Sequence, residues 1–232
     1  LCSLTARALD GRAVAHLAWR AEHDFVGAPV GVMDQLACSL ADERTALFLD
    51  TRTMRYERVA LPAEGEFVVV DSGVAHQHAS GDYRTRRAEC ERACAALGVA
   101  ELRDVGDGWE PRVAALPTPL DRRARHVITE NARVLGAVEA LHAGDLRRFG
   151  ALMDASHVSM RDDYEVSVSA VDALVESARR QPGALGARLT GGGFGGSVVA
   201  LVERGASARV AEGVVRDALR DGRAGVRVLV PG

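Results

Sequence analysis

The amino-acid sequence predicts an α+β protein, because runs with strand character and runs with helix character follow one another along the chain. The clearest strand is the valine-rich stretch at residues 65–71, which ends at a turn. Apolar residues then recur at helical spacing in three stretches, near residues 120–142, 145–159 and 166–180. The C-terminal part is predicted to contain the strand GARLT, the glycine loop GGGFGG, the strand SVVALVE at residues 197–203, a helix at residues 207–221 and the strand GVRVLV. Runs of helices and strands arranged in this way are the α+β pattern.

Composition sets the broad class of protein. The chain has 232 residues, of which 47% are hydrophobic, enough for one large domain or two small ones. The net charge of −3 does not favour a nucleic-acid-binding face, and no apolar run reaches the roughly 20 residues that span a bilayer. Neither nucleic acid nor membrane is therefore expected as a partner, and nothing in the sequence indicates an oligomeric state. Four cysteines without a CxxC pair indicate a reducing, cytoplasmic setting.

The basic residues carry a second restriction. All 29 of them are arginine, since the sequence contains no lysine. A Walker-A lysine and a Schiff-base lysine are therefore excluded within the chain. The chain begins at Leu1, and its first stretch, LCSLTARAL, has the pattern of the middle or end of a helix. We expect from this pattern that a preceding segment is missing.

The N-terminal part contains two acids on either side of a Gly/Pro loop. Helical spacing predicts a helix from Arg12 to Val26 that ends at Gly27. Its predicted buried stripe is Val14, Leu17, Ala18, Ala21 and Phe25. Glu22 falls at the border of that stripe, where a carboxylate can face a cleft. Asp34 begins a second, short helix, and two strands and a change of domain near residues 58–66 follow.

Glu22 and Asp34 allow two interpretations. Glu22 is either a solvated helix residue or an oxygen ligand for a divalent metal. Asp34 is either the N-cap of the second helix or a base that accepts a proton from an attacking hydroxyl. The residues themselves leave both interpretations open.

The stretch LTGGGFGGS, residues 189–197, holds five glycines in six positions between two strands. A plain hairpin seldom needs so many glycines, because each glycine loses much conformational entropy when the chain folds. The alternatives are a structural turn and an anion nest whose backbone N–H groups bind phosphate. The spacing matches neither the P-loop nor the Rossmann fingerprint.

A polar stretch follows the valine-rich strand. We expect a helix from Arg86 to Leu97 that ends at Gly98, with Cys90 and Cys94 facing the core. Tyr83, just before this helix, is either a half-buried packing residue or a ring that contacts a sugar. His76 and His78 lack a third ligand at useful spacing and are interpreted as ordinary polar residues. Residues 104–119, rich in glycine and proline, are predicted to be a connector.

Taken together and in order, these stretches resemble the galactokinases, a branch of the GHMP family of small-molecule kinases. RAEHDFVGAPVGVMDQ is similar to the family's acid, loop and GIMDQ segment, and DSGVAHQHASGDYRTRRAEC to its strand and YxxRRxEC helix start. The likeness continues through RHVITENARVLGAVEAL and SHVSMRDDYEVSVSAVDALV. It ends with GARLTGGGFGGSVVALVE, which resembles the family's third, glycine-rich motif.

The resemblance implies a two-domain GHMP kinase fold with an incomplete N-terminal domain at residues 1–60. Residues 61–232 would form a C-terminal domain with a ferredoxin-like antiparallel sheet and helices. The implied reaction is phosphorylation of galactose by ATP with Mg²⁺. Asp34 matches the catalytic acid that receives the sugar proton, and Glu22 matches the acid that binds Mg²⁺. Gly31 and Tyr83, with Asp34, match sugar-binding positions, and the glycine-rich motif implies nucleotide contacts from Gly191, Gly192, Gly193, Gly195 and Gly196.

The sequence departs from the family pattern at a few positions. Val30 and Val32 replace Cys and Ile, Gly192 stands where Ala is usual, and Ser197 where Cys is usual. None of these changes removes a charged or proton-transferring group. The family's N-terminal sugar motif and serine-rich ATP loop are expected before Leu1.

Two other functions fit the same residues: a GHMP kinase for another sugar, and a non-catalytic sensor of galactose and ATP.

Overall fold

The computed structural model describes residues 9–27, 30–74 and 79–230. Most of the LCSLTARAL stretch lies outside these ranges, as do His76 and His78. The chain divides into two compact units, Leu1–Leu61 and Pro62–Gly232.

The described part of the first unit consists of two helices, a π-helical turn and a two-stranded antiparallel sheet. The elements are α1 (Gly11–Arg20), the π turn (Ala21–Phe25), α2 (Met33–Leu40), β1 (Thr45–Asp50) and β2 (Arg55–Ala60). In the sheet, Thr45 is opposite Ala60 and Asp50 is opposite Arg55. Arg58 on β2 donates from Nε and from a terminal nitrogen to the Leu40 carbonyl at 2.9 and 2.7 Å, which caps the C-terminus of α2.

Helix α1 packs on α2 through its small residues. Ala15 is buried in a cluster with Leu36 and Leu40, and a Cβ at Gly11 would lie 2.8 Å from the Ser39 carbonyl oxygen. Because the two helices approach so closely, the face of α1 with the small residues Gly11 and Ala15 is the one that packs against α2.

The buried stripe predicted for the first helix is wrong as a result. Val14, Leu17 and Phe25 are exposed by 39%, 52% and 91%, and Ala18 and Ala21 are exposed as well. Side-chain hydrophobicity predicted one face, whereas closeness of the two backbones decides which face is buried.

The second unit contains most of the helices and a four-stranded sheet. Its elements are β3 (Gly65–Asp71), α3 (Ala79–Leu97), α4 (Trp109–Ala114), α5 (Leu120–His142), α6 (Leu146–Asp162), α7 (Ser169–Arg180), β4 (Ala184–Thr190), β5 (Ser197–Glu203), α8 (Ser207–Arg220) and β6 (Arg227–Val230). Helix α3 begins before the predicted Arg86, and α4 occupies part of the predicted connector. In the described residues, no helix combines the length and the apolar character needed to cross a bilayer.

The four strands are antiparallel and lie in the order β4-β5-β3-β6. With helices α3 to α7 between β3 and β4, and α8 between β5 and β6, this strand order is the ferredoxin-like split βαβ arrangement. Val68 and Val70 are buried and pair with Ala200 and Val198 of β5. The predicted α+β class with a ferredoxin-like antiparallel sheet is confirmed.

Helix α6 crosses strand β4 at two glycines. A Cβ at Gly150 would lie 2.1 Å from the Leu185 carbonyl oxygen, and a Cβ at Gly186 would lie 2.1 Å from the Gly150 carbonyl oxygen. The helix and the sheet can approach this closely only because neither position has a side chain.

We expect Gly150→Ala to lower the free energy of unfolding by about 1–3 kcal/mol, because the added methyl group forces helix and strand apart. The control is Gly136→Ala in α5, where the new Cβ would meet its nearest neighbour, Leu152, at 3.5 Å, an ordinary contact. That variant should gain up to about 1 kcal/mol from helix propensity. Urea unfolding of the two variants and the parent measures both values. Equal effects at the two positions would contradict the close-packing argument.

Candidate functional site

Glu22 lies in a π-helical turn that continues α1. The Val26 N–H donates to the Ala21 carbonyl at 3.2 Å, five residues back, as the π pattern requires. Such turns are rare and occur frequently at functional sites. Glu22 is exposed in this turn rather than at the border of a buried face.

A single hydrogen bond connects Glu22 to the start of α2. Gln35 Nε2 donates to Glu22 Oε2 at 2.6 Å, and Gln35 directly follows Asp34. The structure therefore brings the Glu22 carboxylate to the helix turn that carries Asp34. Sequence reasoning missed Gln35, although it stands in the same MDQ segment as Asp34.

Asp34 is the second residue of α2 and is exposed. The N-cap is Val32, which makes no side-chain capping bond, so the N-cap interpretation of Asp34 is wrong. A carboxylate in the first turn of a helix interacts favourably with the helix dipole. Its oxygens also remain accessible to a ligand.

Trp19 fixes the end of the loop before Asp34. Its indole Nε1 donates to the Val30 carbonyl at 3.1 Å, and its ring stacks between those of His16 and His23 at 5.5 and 4.8 Å. Gly31 follows immediately, and a Cβ there would meet nothing within 4 Å. The apolar pattern did not identify Trp19. Its position one helical turn before Glu22 is the only feature of the sequence that could have indicated a role for it.

Glu22 is the residue to consider as a metal ligand in the described part of the first unit. Among the described residues, no cluster of three or more His, Cys, Asp or Glu side chains could hold a metal ion. Mg²⁺ is often bound through one or two carboxylates together with substrate phosphates and waters. Glu22 fits that mode, since it is exposed and one oxygen is oriented by Gln35.

In the second unit, the inner half of the glycine loop is fixed against two backbone segments. Phe194 N–H donates to the Val166 carbonyl at 2.6 Å, and Gly196 N–H to the Val74 carbonyl at 3.2 Å. A Cβ at Gly193 would lie 2.4 Å from the Val166 oxygen, and one at Gly195 2.7 Å from the Val74 oxygen. Glycine is required at both positions, which also have positive φ.

The outer half of the loop faces open space. A Cβ at Gly191 or Gly192 would meet nothing within 4 Å. Gly191 has φ +83°, while the φ of Gly192 lies outside the left-handed region. The outer half is thus the side of the loop that an anion can approach, with the inner half as its support.

Tyr83 lies inside α3 rather than before it, and it is 39% exposed. One helical turn further on, the Arg86 guanidinium lies 6.0 Å from the centre of the Phe194 ring of the glycine loop. Tyr83 and the glycine loop belong to the second unit, whereas Glu22, Gly31 and Asp34 belong to the first.

The cysteines of α3 behave as core residues. Cys90 and Cys94 pack against a buried cluster that contains Ala93, and burial raises the pKa of both thiols. A protonated thiol is a poor nucleophile. In the described ranges, Cys38, Cys90 and Cys94 are all free.

Comparison with known proteins gives one family match. Residues 137–221 match the family model described as the C-terminal region of GHMP kinases. This part of the second unit is therefore similar to that region of the GHMP kinases.

The more specific matches are to galactokinases. The galactokinase of Mycobacterium bovis is 46% identical over 222 residues, which are 94% of this chain and 61% of the relative. That of Chloroflexus aurantiacus is 50% identical over 200 residues, 84% of this chain and 51% of the relative. The crystal structure of Lactococcus lactis galactokinase complexed with galactose superposes with a TM-score of 0.89 at 29% identity, over 98% of this chain and 61% of that chain.

These matches confirm the predicted resemblance to galactokinases, which extends over 84–94% of this chain in the two sequence relatives. The chain spans about three fifths of the length of the M. bovis relative and about half of the C. aurantiacus one.

The glycine loop gives a matched pair of substitutions. We expect Gly193→Ala to destabilise the second unit by at least about 1–2 kcal/mol, since alanine must adopt a left-handed conformation and also meets the Val166 carbonyl. Gly192→Ala should change the free energy of unfolding by less than about 0.5 kcal/mol or raise it slightly, because its backbone and surroundings accept a methyl group. Thermal unfolding of both variants measures the difference. A larger loss of stability in Gly192→Ala than in Gly193→Ala would contradict the assignment of the close contact to Gly193.

Proposed function

We propose that the protein containing this chain is a galactokinase, which transfers the γ-phosphoryl group of ATP to the C1 hydroxyl of galactose. The observation that carries the proposal is the 46–50% identity to galactokinases over 84–94% of the chain. The hydrogen bond from Gln35 to Glu22 is compatible with the proposal, because it brings the Glu22 carboxylate to the helix turn that carries Asp34.

In this reaction Asp34 accepts the proton of the C1 hydroxyl of galactose. The oxygen of that hydroxyl attacks the γ-phosphorus of ATP at the same time. A new O–P bond forms, and the bond between the γ-phosphorus and the bridging oxygen of ADP breaks. Phosphoryl transfer depends mainly on positioning and charge stabilisation, so the absence of lysine is no obstacle. A positioned base contributes roughly 10²–10⁴-fold to the rate. The exposed carboxylate of Asp34 at a rigid helix start suits that role.

Glu22 would hold Mg²⁺ in this proposal. When bound, the ion neutralises charge on the phosphate oxygens of ATP. Gln35 orients one Glu22 oxygen without adding a positive charge that would compete with a cation. The carboxylate therefore keeps its attraction for a hard divalent ion.

The remaining proposed contacts come from the loops and α3. Gly31, beside the Trp19-anchored Val30 carbonyl, would approach the sugar with bare backbone, and Tyr83 would present its exposed ring. The glycines of the third motif would offer N–H groups to phosphate, with Gly191 and Gly192 on the open side. These contacts follow from the resemblance, and the local geometry is compatible with each.

We further propose that Leu1–Leu61 is the remainder of a GHMP kinase N-terminal domain and Pro62–Gly232 is the C-terminal domain. The separation into two compact units supports this assignment, as does the family match at residues 137–221 inside the second unit.

In the full-length protein, Asp34→Asn should lower kcat by two or more decades while galactose binding stays within about threefold, because Asn keeps the shape but cannot accept the proton. Asp42→Asn is the matched control, an exposed acid just beyond the other end of α2, and it should retain full turnover. Coupled ADP-release kinetics and galactose titration measure the two quantities. Turnover near that of the parent in Asp34→Asn would exclude the base role.

Glu22→Gln should raise the Mg²⁺ concentration needed for half-maximal rate by about tenfold or more, with little change in KM for galactose. Gln retains an oxygen that can accept from Gln35, so the substitution isolates the charge. Asp24→Asn, in the same π turn, is the control for general electrostatic effects. Titration of rate against Mg²⁺ for the three proteins decides the matter. Loss of galactose affinity without a change in Mg²⁺ dependence would contradict the metal role.

A further inference from the structure

Glu165, in the connection between α6 and α7, has a left-handed backbone conformation with φ +55°. Phe194 in the glycine loop has φ +60°. Residues other than glycine rarely adopt this conformation, and they keep it only where their surroundings over-determine it. The two residues are linked through Val166, which follows Glu165 and accepts the Phe194 N–H. Two unusual backbones therefore meet at one junction in the second unit.

Three arginines hold Glu165 in place. Arg122 and Arg123 each donate to one of its carboxylate oxygens, the latter at 2.6 Å, and Arg86 donates to its backbone carbonyl at 3.2 Å. The hydrogen bond from Arg123 is the main reason that the pKa of Glu165 lies below its usual value. Arg123 is only 2% exposed and also donates to the Asp163 carbonyl at 2.6 Å.

Glu89 completes the cluster from α3. Its Oε2 accepts from Arg86 at 2.9 Å and from Arg123 Nε at 2.7 Å. One carboxylate thus holds two guanidinium groups, one of which reaches the Glu165 carbonyl and also lies over the Phe194 ring. The arginine cluster, defined as Arg86, Glu89, Arg123 and Glu165, is continuous with the glycine loop.

The cluster acts on the loop through Val166. This residue is 4% exposed, and its carbonyl is the group that Phe194 binds and that excludes a side chain at Gly193. A shift of the Glu165–Val166 backbone would remove the support on which the inner half of the loop rests. Helix α3 and the α6–α7 connection are therefore mechanically coupled to the loop by specific bonds.

We propose that Arg86 is a positioning residue for the glycine loop, acting with Glu89, Arg123 and Glu165 to fix the Val166 carbonyl against Phe194 and Gly193. The cluster keeps the loop in one shape before a phosphate arrives. Its consequence for nucleotide binding rests on the proposed function, whereas its consequence for loop rigidity does not.

The test compares Arg86→Gln with Arg87→Gln in the full-length protein. Arg87 neighbours Arg86 on α3, but its partner is Glu91 at 3.0 Å in an exposed pair. Without nucleotide, amide hydrogen exchange of residues 190–196 should become about tenfold faster in Arg86→Gln, because charge-assisted bonds to Glu89 and Glu165 are lost. Exchange in Val68–Val70 of β3 should stay unchanged. Arg87→Gln should match the parent in both segments.

Kinetics give a second readout. KM for ATP should rise several-fold in Arg86→Gln while KM for galactose stays within about twofold, and Arg86→Lys, which keeps a charge and fewer donors, should lie between Gln and the parent. If Arg86→Gln does not fold, Arg86→Lys serves for both measurements. Unchanged loop exchange would overturn the proposal, as would equal acceleration in the loop and in β3.

The proposed function is tested separately, on the parent protein. ADP with Mg²⁺ should slow exchange in residues 190–196 if the loop binds phosphate. Lack of protection there would contradict the nucleotide role of the loop. The comparison of Arg86→Gln with Arg87→Gln still decides whether the cluster positions the loop.

Discussion

The backbone hydrogen bond from Phe194 N–H to the Val166 carbonyl, at 2.6 Å, joins the glycine loop to the connection between α6 and α7. Gly193 lies against the same carbonyl, so two chain segments meet where no side chain fits. The conformation of the loop is therefore determined by contacts with other segments of the second unit rather than by the turn preference of its own residues. This explains why its glycines are not equivalent. Gly191 serves a positive φ, Gly193 both a positive φ and a close approach, and Gly192 neither.

In the first unit, the neutral side-chain amide of Gln35 holds the candidate metal ligand Glu22 in place, as the Val166 carbonyl holds the glycine loop in the second unit. Gln35 holds Glu22 by a hydrogen bond and, as a neutral amide, adds no positive charge beside it. An arginine at the same place would compete with a cation for that carboxylate, since guanidinium groups pair strongly with carboxylates. The π turn that carries Glu22 departs from the regular α-helical hydrogen bonding of α1. The hydrogen bond from Gln35 thus orients Glu22 without changing the charge beside it.

The chain uses arginine for all its cations, and the cluster beside the loop illustrates what arginine makes possible. Arg123 distributes three nitrogens among Glu89, the Asp163 carbonyl and Glu165 while remaining almost fully buried. A planar guanidinium can serve three separate acceptors in fixed directions, which a lysine ammonium on a flexible stem does poorly. Burial of such a charge is tolerated only where its hydrogen bonds are satisfied. Specific geometry, rather than net charge, is what the cluster contributes.

The sequence by itself determined the elements whose pattern is local. It placed β5 at the bounds observed, Ser197–Glu203, and it placed α5, α6 and α7 within a few residues, because apolar spacing reflects burial on one face. It also located Gly98 as the stop of α3, a position with φ +68°. The order of motifs led to the galactokinase relationship without any knowledge of packing.

The tertiary structure alone decided the features that depend on contacts distant in sequence. Ala15 rather than the larger apolar residues of α1 is buried, because it packs with Leu36 and Leu40 of α2 next to the close approach at Gly11. Gln35 reaches Glu22 across thirteen residues, and Arg123 reaches Glu165 across forty-two. The left-handed backbone of Glu165 has no local signal, since glutamate does not favour that conformation in any sequence. Local propensity ranks the conformations of a segment, but the partners that overrule this ranking come from elsewhere in the fold.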